Sequence, residues 1–269
     1  MKQADHDYYQ GKIIVITGAS SGIGRDLAAY LAPAKVSLVL MARRVEALEE
    51  LARECRAAGS EALVLPGDVA SRAGMETAAS QVLGELGVPD IVIGNAGVGG
   101  LNPARGFDMD IHERTMAINV LGLAYTLMPY VPAMVERGSG HLVGISSLAA
   151  FRGLPCAGSY SPSKAAQAVF MESLRVDLRP HGIACTSIHP GFVETPMTAH
   201  EDFKMPFKVP VRKSSMLVAA ALRKRKSVYL YPWQMRILTW CNRVMPNWLF
   251  DRLLPLLGGQ NPESQAKLL

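Results

Sequence analysis

Cysteine is scarce and scattered in this chain. Its four cysteines, Cys55, Cys156, Cys185 and Cys241, show neither CxxC spacing nor a nearby histidine cluster. That pattern excludes a zinc ribbon or a disulfide framework; no metal is expected, and the thiols read as free and mostly core. Long apolar runs are missing too. None reaches the roughly 18 residues that a membrane-spanning helix needs. The first dozen residues, MKQADHDYYQGK, are polar and acidic, which excludes an ordinary secretory signal. What remains is a globular protein expected in the cytoplasm. With 49% apolar and 19% charged residues, 269 residues can bury a substantial core and are too apolar to stay disordered.

Acid is nearly absent from one part of the chain. Residues 204–269 hold 12 lysines and arginines against 2 acids, a net charge of +10. Residues 1–203 hold 16 against 21, a net charge of −5. The formal charge of +5 therefore belongs to the last quarter alone.

The apolar pattern alternates between two periods. KIIVITG is a short β-branched run ending in glycine, and the following SSGIGRDLAAYLA has helical spacing. VSLVLMAR, EALVLPGD, DIVIGNAG, GHLVGISS, GIACTSIH and SVYLYP repeat the strand signal, with helical segments between them. One long helix is expected from Asp108 to about Glu136 and another from about Tyr160 to Arg179. Seven apolar strands alternating with helices imply right-handed crossovers and a parallel sheet covered on both faces. The expected fold is α/β: a single doubly wound Rossmann-type domain over residues 1–232, with a C-terminal helical appendage over residues 233–269.

Two stretches carry chemistry. TGASSGIG, Thr17 to Gly24, lies between the first strand and the first helix. There, Gly18 allows a sharp turn, Gly22 lets backbone approach a pyrophosphate, and Gly24 permits close helix–strand packing, while amides of a helix N-terminus favour phosphate charge. The second is SYSPSKAAQ, where Tyr160 and Lys164 stand four residues apart and share one helical face.

Together, TGASSGIG, the NAG of Asn95–Gly97, Asn119, Ser147, YSPSK and PGFVET resemble the short-chain dehydrogenase/reductase family, over roughly residues 11–232. Gly94 departs from the pattern, standing where many relatives carry a second asparagine. The resemblance implies a nicotinamide cofactor held at Gly18, Ser20, Ser21, Gly22, Ile23 and Gly24. It places Asp68 and Val69 beside the adenine, and Asn95, Ala96 and Gly97 on the adenosine ribose side. Pro190, Gly191, Val193 and Thr195 are implied at the nicotinamide, with Tyr160 and Lys164 reaching its ribose side. It also implies a homodimer or homotetramer paired through the helices after Asp108 and Tyr160.

The second strand ends in Ala42, Arg43 and Arg44, with no carboxylate to receive ribose hydroxyls. A guanidinium there suits a 2′-phosphate, so NADP(H) is expected over NAD(H), with Arg43 as the main contact. In the expected chemistry a ketone or aldehyde and an alcohol are interconverted by hydride transfer. A phenol with a pKa near 10 is a poor proton shuttle, and Lys164 beside a cationic nicotinamide is expected to lower it. Tyr160 then serves as general acid and base, Ser147 bonds the substrate oxygen, and Asn119 organises the helix beneath the lysine. His189, at a strand end, reads as structural. Rival readings are a sugar-nucleotide epimerase or dehydratase and an NADPH-binding redox sensor.

All three tryptophans, Trp233, Trp240 and Trp248, lie in the basic tail with Arg236, Arg243 and Arg252, and the run Arg223 to Lys226 precedes them. Such a segment, residues 233–257, fits a helix at a membrane surface; the reading preferred from sequence is a wall over the substrate mouth or a subunit contact. Nucleic acid is not expected as a partner. Met197, Phe203, Met205 and Phe207, in the loop after the last cofactor motif, point to an apolar substrate.

Overall fold

The computed structural model describes residues 1–199 and 205–253. Phe203 and the tail beyond Leu253 lie outside the described residues. Seven parallel strands form one sheet in the order β3-β2-β1-β4-β5-β6-β7. They are β1 (Ile13–Thr17), β2 (Ser37–Ala42), β3 (Glu61–Pro66), β4 (Ile91–Gly94), β5 (Gly140–Ile145), β6 (Ile183–Pro190) and β7 (Val228–Tyr231). Alternation along β1 builds the two cores. Ile14 and Ile16 face one layer of helices and Val15 the other, and all three are fully buried.

Helices cover both faces: α1 (Gln3–Tyr9), α2 (Gly22–Leu31), α3 (Val45–Ala57), α4 (Arg72–Glu85), α5 (Met109–Met116), α6 (Gly122–Leu127), α7 (Val131–Arg137), α8 (Tyr160–Leu178) and α9 (Val211–Arg223). Two more, α10 (Trp233–Val244) and α11 (Asn247–Leu253), follow the last strand. The sheet order reverses direction at β1 and β4, so a crevice opens at their carboxyl ends.

Three features depart from the sequence reading. The polar N-terminus folds as α1, because Asp5 and Tyr9, one turn apart, both turn inward. The Tyr9 hydroxyl donates to the Ala219 carbonyl at 2.7 Å, and buried Asp5 accepts from Tyr30 and from Arg223, each at 2.9 Å. The run Met109–Arg137 is long and apolar enough to cross a membrane by length and composition, contrary to the reading that no such stretch exists. Here it packs on the sheet, with Leu123, Leu127, Tyr130 and Met134 buried; the core helix of a doubly wound protein needs the same apolarity. Nor is that run a uniform helix. A π-helical turn, Ala117–Leu121, interrupts it, and a 3₁₀ turn holds Pro129. Asp108 caps its start, accepting from the amides of Asp110 and Ile111.

The Gly94 departure has a packing cause. A Cβ there would meet the Cδ1 end of the Leu123 side chain, so a larger residue at 94 would require Leu123 to move.

Candidate active site

The first turn is shaped by glycine for two separate reasons. Gly18 has φ +67°, and a Cβ on it would lie 2.8 Å from the Ala96 backbone. Gly24 has ordinary backbone, but a Cβ would strike the Asn95 amide and the Gly18 carbonyl. Asn95 fixes this contact by donating to the carbonyls of Thr17 at 2.9 Å and Gly18 at 3.3 Å. Its side chain therefore staples β4 to the turn. Helix α2 begins here with no acid in its first turn and no capping bond from Ser21, and its first residues, Gly22 and Ile23, line the crevice.

A cleft of about 390 Å³ runs from this turn across the strand ends. Gly18, Ser20, Ser21, Gly22 and Ile23 line its first wall, and Arg43, Asp68 and Val69 stand at the β2–β3 end. Asn95, Ala96 and Gly97 form its floor, Ser147, Tyr160 and Lys164 its far side, and Pro190, Gly191, Val193 and Thr195 its rim. Gly24 and Asn119 stand behind the wall, supporting it.

The two arginines at the end of β2 differ. Arg43 is 60% exposed and approaches Asp68 at only 3.8 Å. Arg44, which the sequence reading did not assign, folds over the glycine turn and donates to the Ser20 carbonyl at 3.0 Å and hydroxyl at 3.1 Å. Two adjacent arginines in a sequence carry no sign of which one turns back.

Tyr160 opens α8 and Lys164 follows one turn later, its Nζ 5.7 Å from the phenol ring centroid. Lys164 is buried and donates to the Ile145 carbonyl at 3.1 Å and to Gln167 Oε1 at 2.9 Å. Gly97 makes room for it, since a Cβ there would sit 3.4 Å from Nζ. Burial pushes the lysine down to about 7. Burial also raises the Tyr160 pKa, opposed by a hydrogen bond from the Ser147 side. In the chain without cofactor, desolvation therefore dominates the Tyr160 pKa; the expectation that Lys164 lowers it concerns the phenol beside a cationic nicotinamide, a different state.

Ser146 and Ser147 divide their roles. Buried Ser146 donates to the Lys164 carbonyl at 2.8 Å, tying β5 to α8. Ser147 Oγ accepts from the Ala149 amide at 3.1 Å and faces the cleft. His189 sits beneath, with Nδ1 3.1 Å from the Ser147 carbonyl and Nε2 2.9 Å from Ser187 Oγ. A carbonyl only accepts, so Nδ1 carries the proton. Desolvation lowers this ring to about 4, leaving it a neutral strut, as the sequence reading expects.

Asn119 lies in the π-helical turn, fully buried, and clasps the Val98 backbone at both ends: Oδ1 accepts from its amide at 2.8 Å and Nδ2 donates to its carbonyl at 2.9 Å. The Asn119 carbonyl accepts from Gln167 Nε2. Gln167 is the residue that sequence reasoning missed. It connects Asn119 to Lys164, and its helical spacing of i+3 from the lysine was the available signal.

Met197 reaches the same space, for a Cβ on Gly99 would meet its sulfur at 3.3 Å and Tyr160 at 3.7 Å. Phe207, in contrast, is 53% exposed and stands outside the cleft lining. None of the three tryptophans lines the cleft either.

A doubly wound sheet, a glycine turn opening a helix and a Tyr–Lys pair across the crevice define a dinucleotide-dependent oxidoreductase class. The short chain dehydrogenase family matches residues 12–205, and the chain belongs to that family. An oxidoreductase of Myxococcus xanthus is 41% identical over 88% of this chain and 94% of its own length. An oxidoreductase of Mycobacterium tuberculosis is 34% identical over 81% of this chain, which spans 66% of that relative. Among solved structures, an alcohol dehydrogenase from Thermococcus sibiricus complexed with 5-hydroxy-NADP superposes with a TM-score of 0.75. It is 27% identical and covers 82% of this chain and 95% of its own.

Proposed function

We propose that the chain is an NADP(H)-dependent oxidoreductase that interconverts a carbonyl and an alcohol, with Tyr160 as general acid and base. The observation that carries this reading is the convergence of Ser147, Tyr160 and Lys164 on one side of a cleft whose other end is the glycine turn. The donor set fits a dinucleotide phosphate. The first amides of α2 and the positive-φ Gly18 and Gly22 suit the pyrophosphate. Arg43, with Arg44 and Ser20 beside it, suits a 2′-phosphate, and no acid stands at the end of β2 to favour a bare ribose. The similarity to an alcohol dehydrogenase complexed with 5-hydroxy-NADP supports a nicotinamide cofactor, and the NADP preference rests on Arg43 and the missing acid.

When bound, such a cofactor supplies or accepts the hydride. The chain's own residues handle the proton. Ser147 holds the substrate oxygen in hydrogen-bond range of Tyr160, and the phenol gives that oxygen its proton in reduction or takes it in oxidation. Lys164 is depressed to about 7, so near neutral pH it holds or releases a proton with little bias. Gln167 holds the Lys164 Nζ in place by accepting from it, and is itself anchored by donating to the Asn119 carbonyl.

Met197 beside Tyr160 favours an apolar substrate. A homodimer or homotetramer is part of the reading: Leu121 and Met128 on the long helical run and Val169 and Val176 on α8 are 40–62% exposed. NADPH oxidation across a ketone panel tests the reading. Turnover is expected with bulky apolar ketones, and Tyr160→Phe is expected to abolish it while NADPH still binds. Turnover retained by the phenylalanine variant would defeat the assignment.

A further inference from the structure

Helix α10 wears its apolar stripe on the outside. Trp233, Ile237, Trp240 and Val244 recur at i, i+4, i+7 and i+11, the spacing of one helical face, and are 64%, 52%, 66% and 61% exposed. Met235, Thr239 and Asn242, on the opposite face, are half-buried toward the sheet. A surface helix ordinarily does the reverse. Trp248 on α11, 69% exposed, continues the patch, while Phe250 turns inward under the Arg152 guanidinium at 4.0 Å.

The segment is held firmly in this orientation. Arg152 donates to the carbonyls of Asn242 and Met245 and to the Asn247 side chain at 2.9 Å, so one cation caps the last turn of α10 and the start of α11. The exposed tryptophans are therefore presented by a fixed scaffold.

The charge on these two helices is mostly positive, with Asp251 the one acid they carry. Arg236 and Arg243 border the stripe, and Arg252 follows on α11. From Met205 to Phe250 there are nine lysines and arginines and no aspartate or glutamate. The Arg223–Lys226 cluster is not part of this face. Arg223 is paired with buried Asp5, and the cluster precedes β7 whereas α10 follows it, at the other end of the strand.

We propose that the α10–α11 face docks on an anionic lipid surface. Tryptophan and aliphatic side chains at one level, bordered by arginines that can extend to headgroups, suit the boundary between acyl chains and phosphates. A second copy of this chain is the poorer occupant on electrostatic grounds. A twofold contact would gather two sets of Arg236, Arg243 and Arg252 into one interface, and α10–α11 bring one acid per copy, Asp251, to offset them.

Because the chain's three tryptophans all stand on this face, intrinsic fluorescence reports on it directly. The full chain is titrated with phosphatidylglycerol–phosphatidylcholine vesicles and with pure phosphatidylcholine vesicles, at low and high salt. A blue-shifted emission and co-sedimentation with the anionic vesicles are expected. Binding should be at least about tenfold weaker to neutral vesicles, and weaker in high salt. Ile237→Glu combined with Trp240→Glu should abolish binding without changing cofactor-dependent turnover in solution. Arg236→Glu with Arg252→Glu, which leaves the apolar stripe intact, should remove the salt-sensitive part. Absence of anionic-vesicle binding, or binding indifferent to both variants, would overturn the proposal. So would a mass that doubles with concentration, only in the chain with an intact stripe, while vesicles are ignored; the face would then belong to a second copy.

Discussion

Gln167 accepts a hydrogen bond from the Lys164 ammonium at 2.9 Å while its amide nitrogen donates to the carbonyl of Asn119 in the π-helical turn. All three residues are buried, so this side chain, and not bulk solvent, satisfies both groups. Removing it in two ways should give two different results. Gln167→Leu fills the space with an apolar group and leaves a buried donor and a buried acceptor unpaired, a penalty of about 1–3 kcal/mol for each. Gln167→Ala leaves room for a water with polar partners on two sides. Turnover should therefore fall at least about tenfold more in the leucine variant than in the alanine variant, with NADPH affinity changing little. Equal losses would mean that Gln167 acts by packing alone.

Arg43 offers the cleft a cation whose present partner, Asp68, is 3.8 Å away and exposed, a weak contact that a phosphate can replace. Arg43→Ala should weaken NADPH binding at least about tenfold, the scale of one charge-assisted contact, and leave NADH binding nearly unchanged. Fluorescence titration with both cofactors measures the ratio. Arg44→Ala should affect both cofactors, because it also releases Ser20 in the turn they share. A pattern with Arg44 selective and Arg43 neutral would transfer the 2′-phosphate role to Arg44.

The sheet was legible from sequence because each strand is a short apolar run between polar or glycine stops, and parallel strands must be apolar on both faces. Residue types at the site were legible for a similar reason, since Gly18 and Gly24 answer steric demands that no other residue meets. The rest depends on contacts distant in sequence. Asp5 and Tyr9 read as a polar lead until Arg223, Tyr30 and Ala219 come round to meet them. Arg152 is an unremarkable loop residue until α10 ends beside it, 90 positions later. Gln167 shows in the sequence only its i+3 spacing from Lys164, because its other partner, the Asn119 carbonyl, lies 48 positions away.

The buried pair at the N-terminus should respond unequally to loss of its partners. Asp5 is 1% exposed and Arg223 29%, so the acid depends on the base more than the reverse. Arg223→Ala strands a carboxylate away from water, with Tyr30 as its remaining donor, and should cost about 3 kcal/mol. Asp5→Asn leaves a guanidinium that can turn to solvent and should cost about 1 kcal/mol. Thermal or urea unfolding compares the two. If Asp5→Asn is the more damaging, the pair is held by its geometry and not by the charge on Asp5.

Stability should also depend on pH from two histidines that the fold keeps neutral. Burial lowers His141 to about 3 and His189 to about 4, against an ordinary value of 6.5. Between those values and 6.5 the unfolded chain binds more protons than the folded one, so stability falls as pH falls. By pH 5 each ring should have removed about 2 kcal/mol relative to pH 7. Lys164 acts at the other end: lowered to about 7 from 10.5, it makes stability rise with pH across that window. The urea midpoint of the chain alone should thus climb from pH 5 to pH 9. His189→Gln should flatten the acid side by about half and leave the alkaline side unchanged, and Lys164→Met should do the opposite. An acid limb as steep in the His189 variant as in the parent would show that His189 takes up its proton without unfolding, and that the strut beneath Ser147 is less enclosed than its contacts imply.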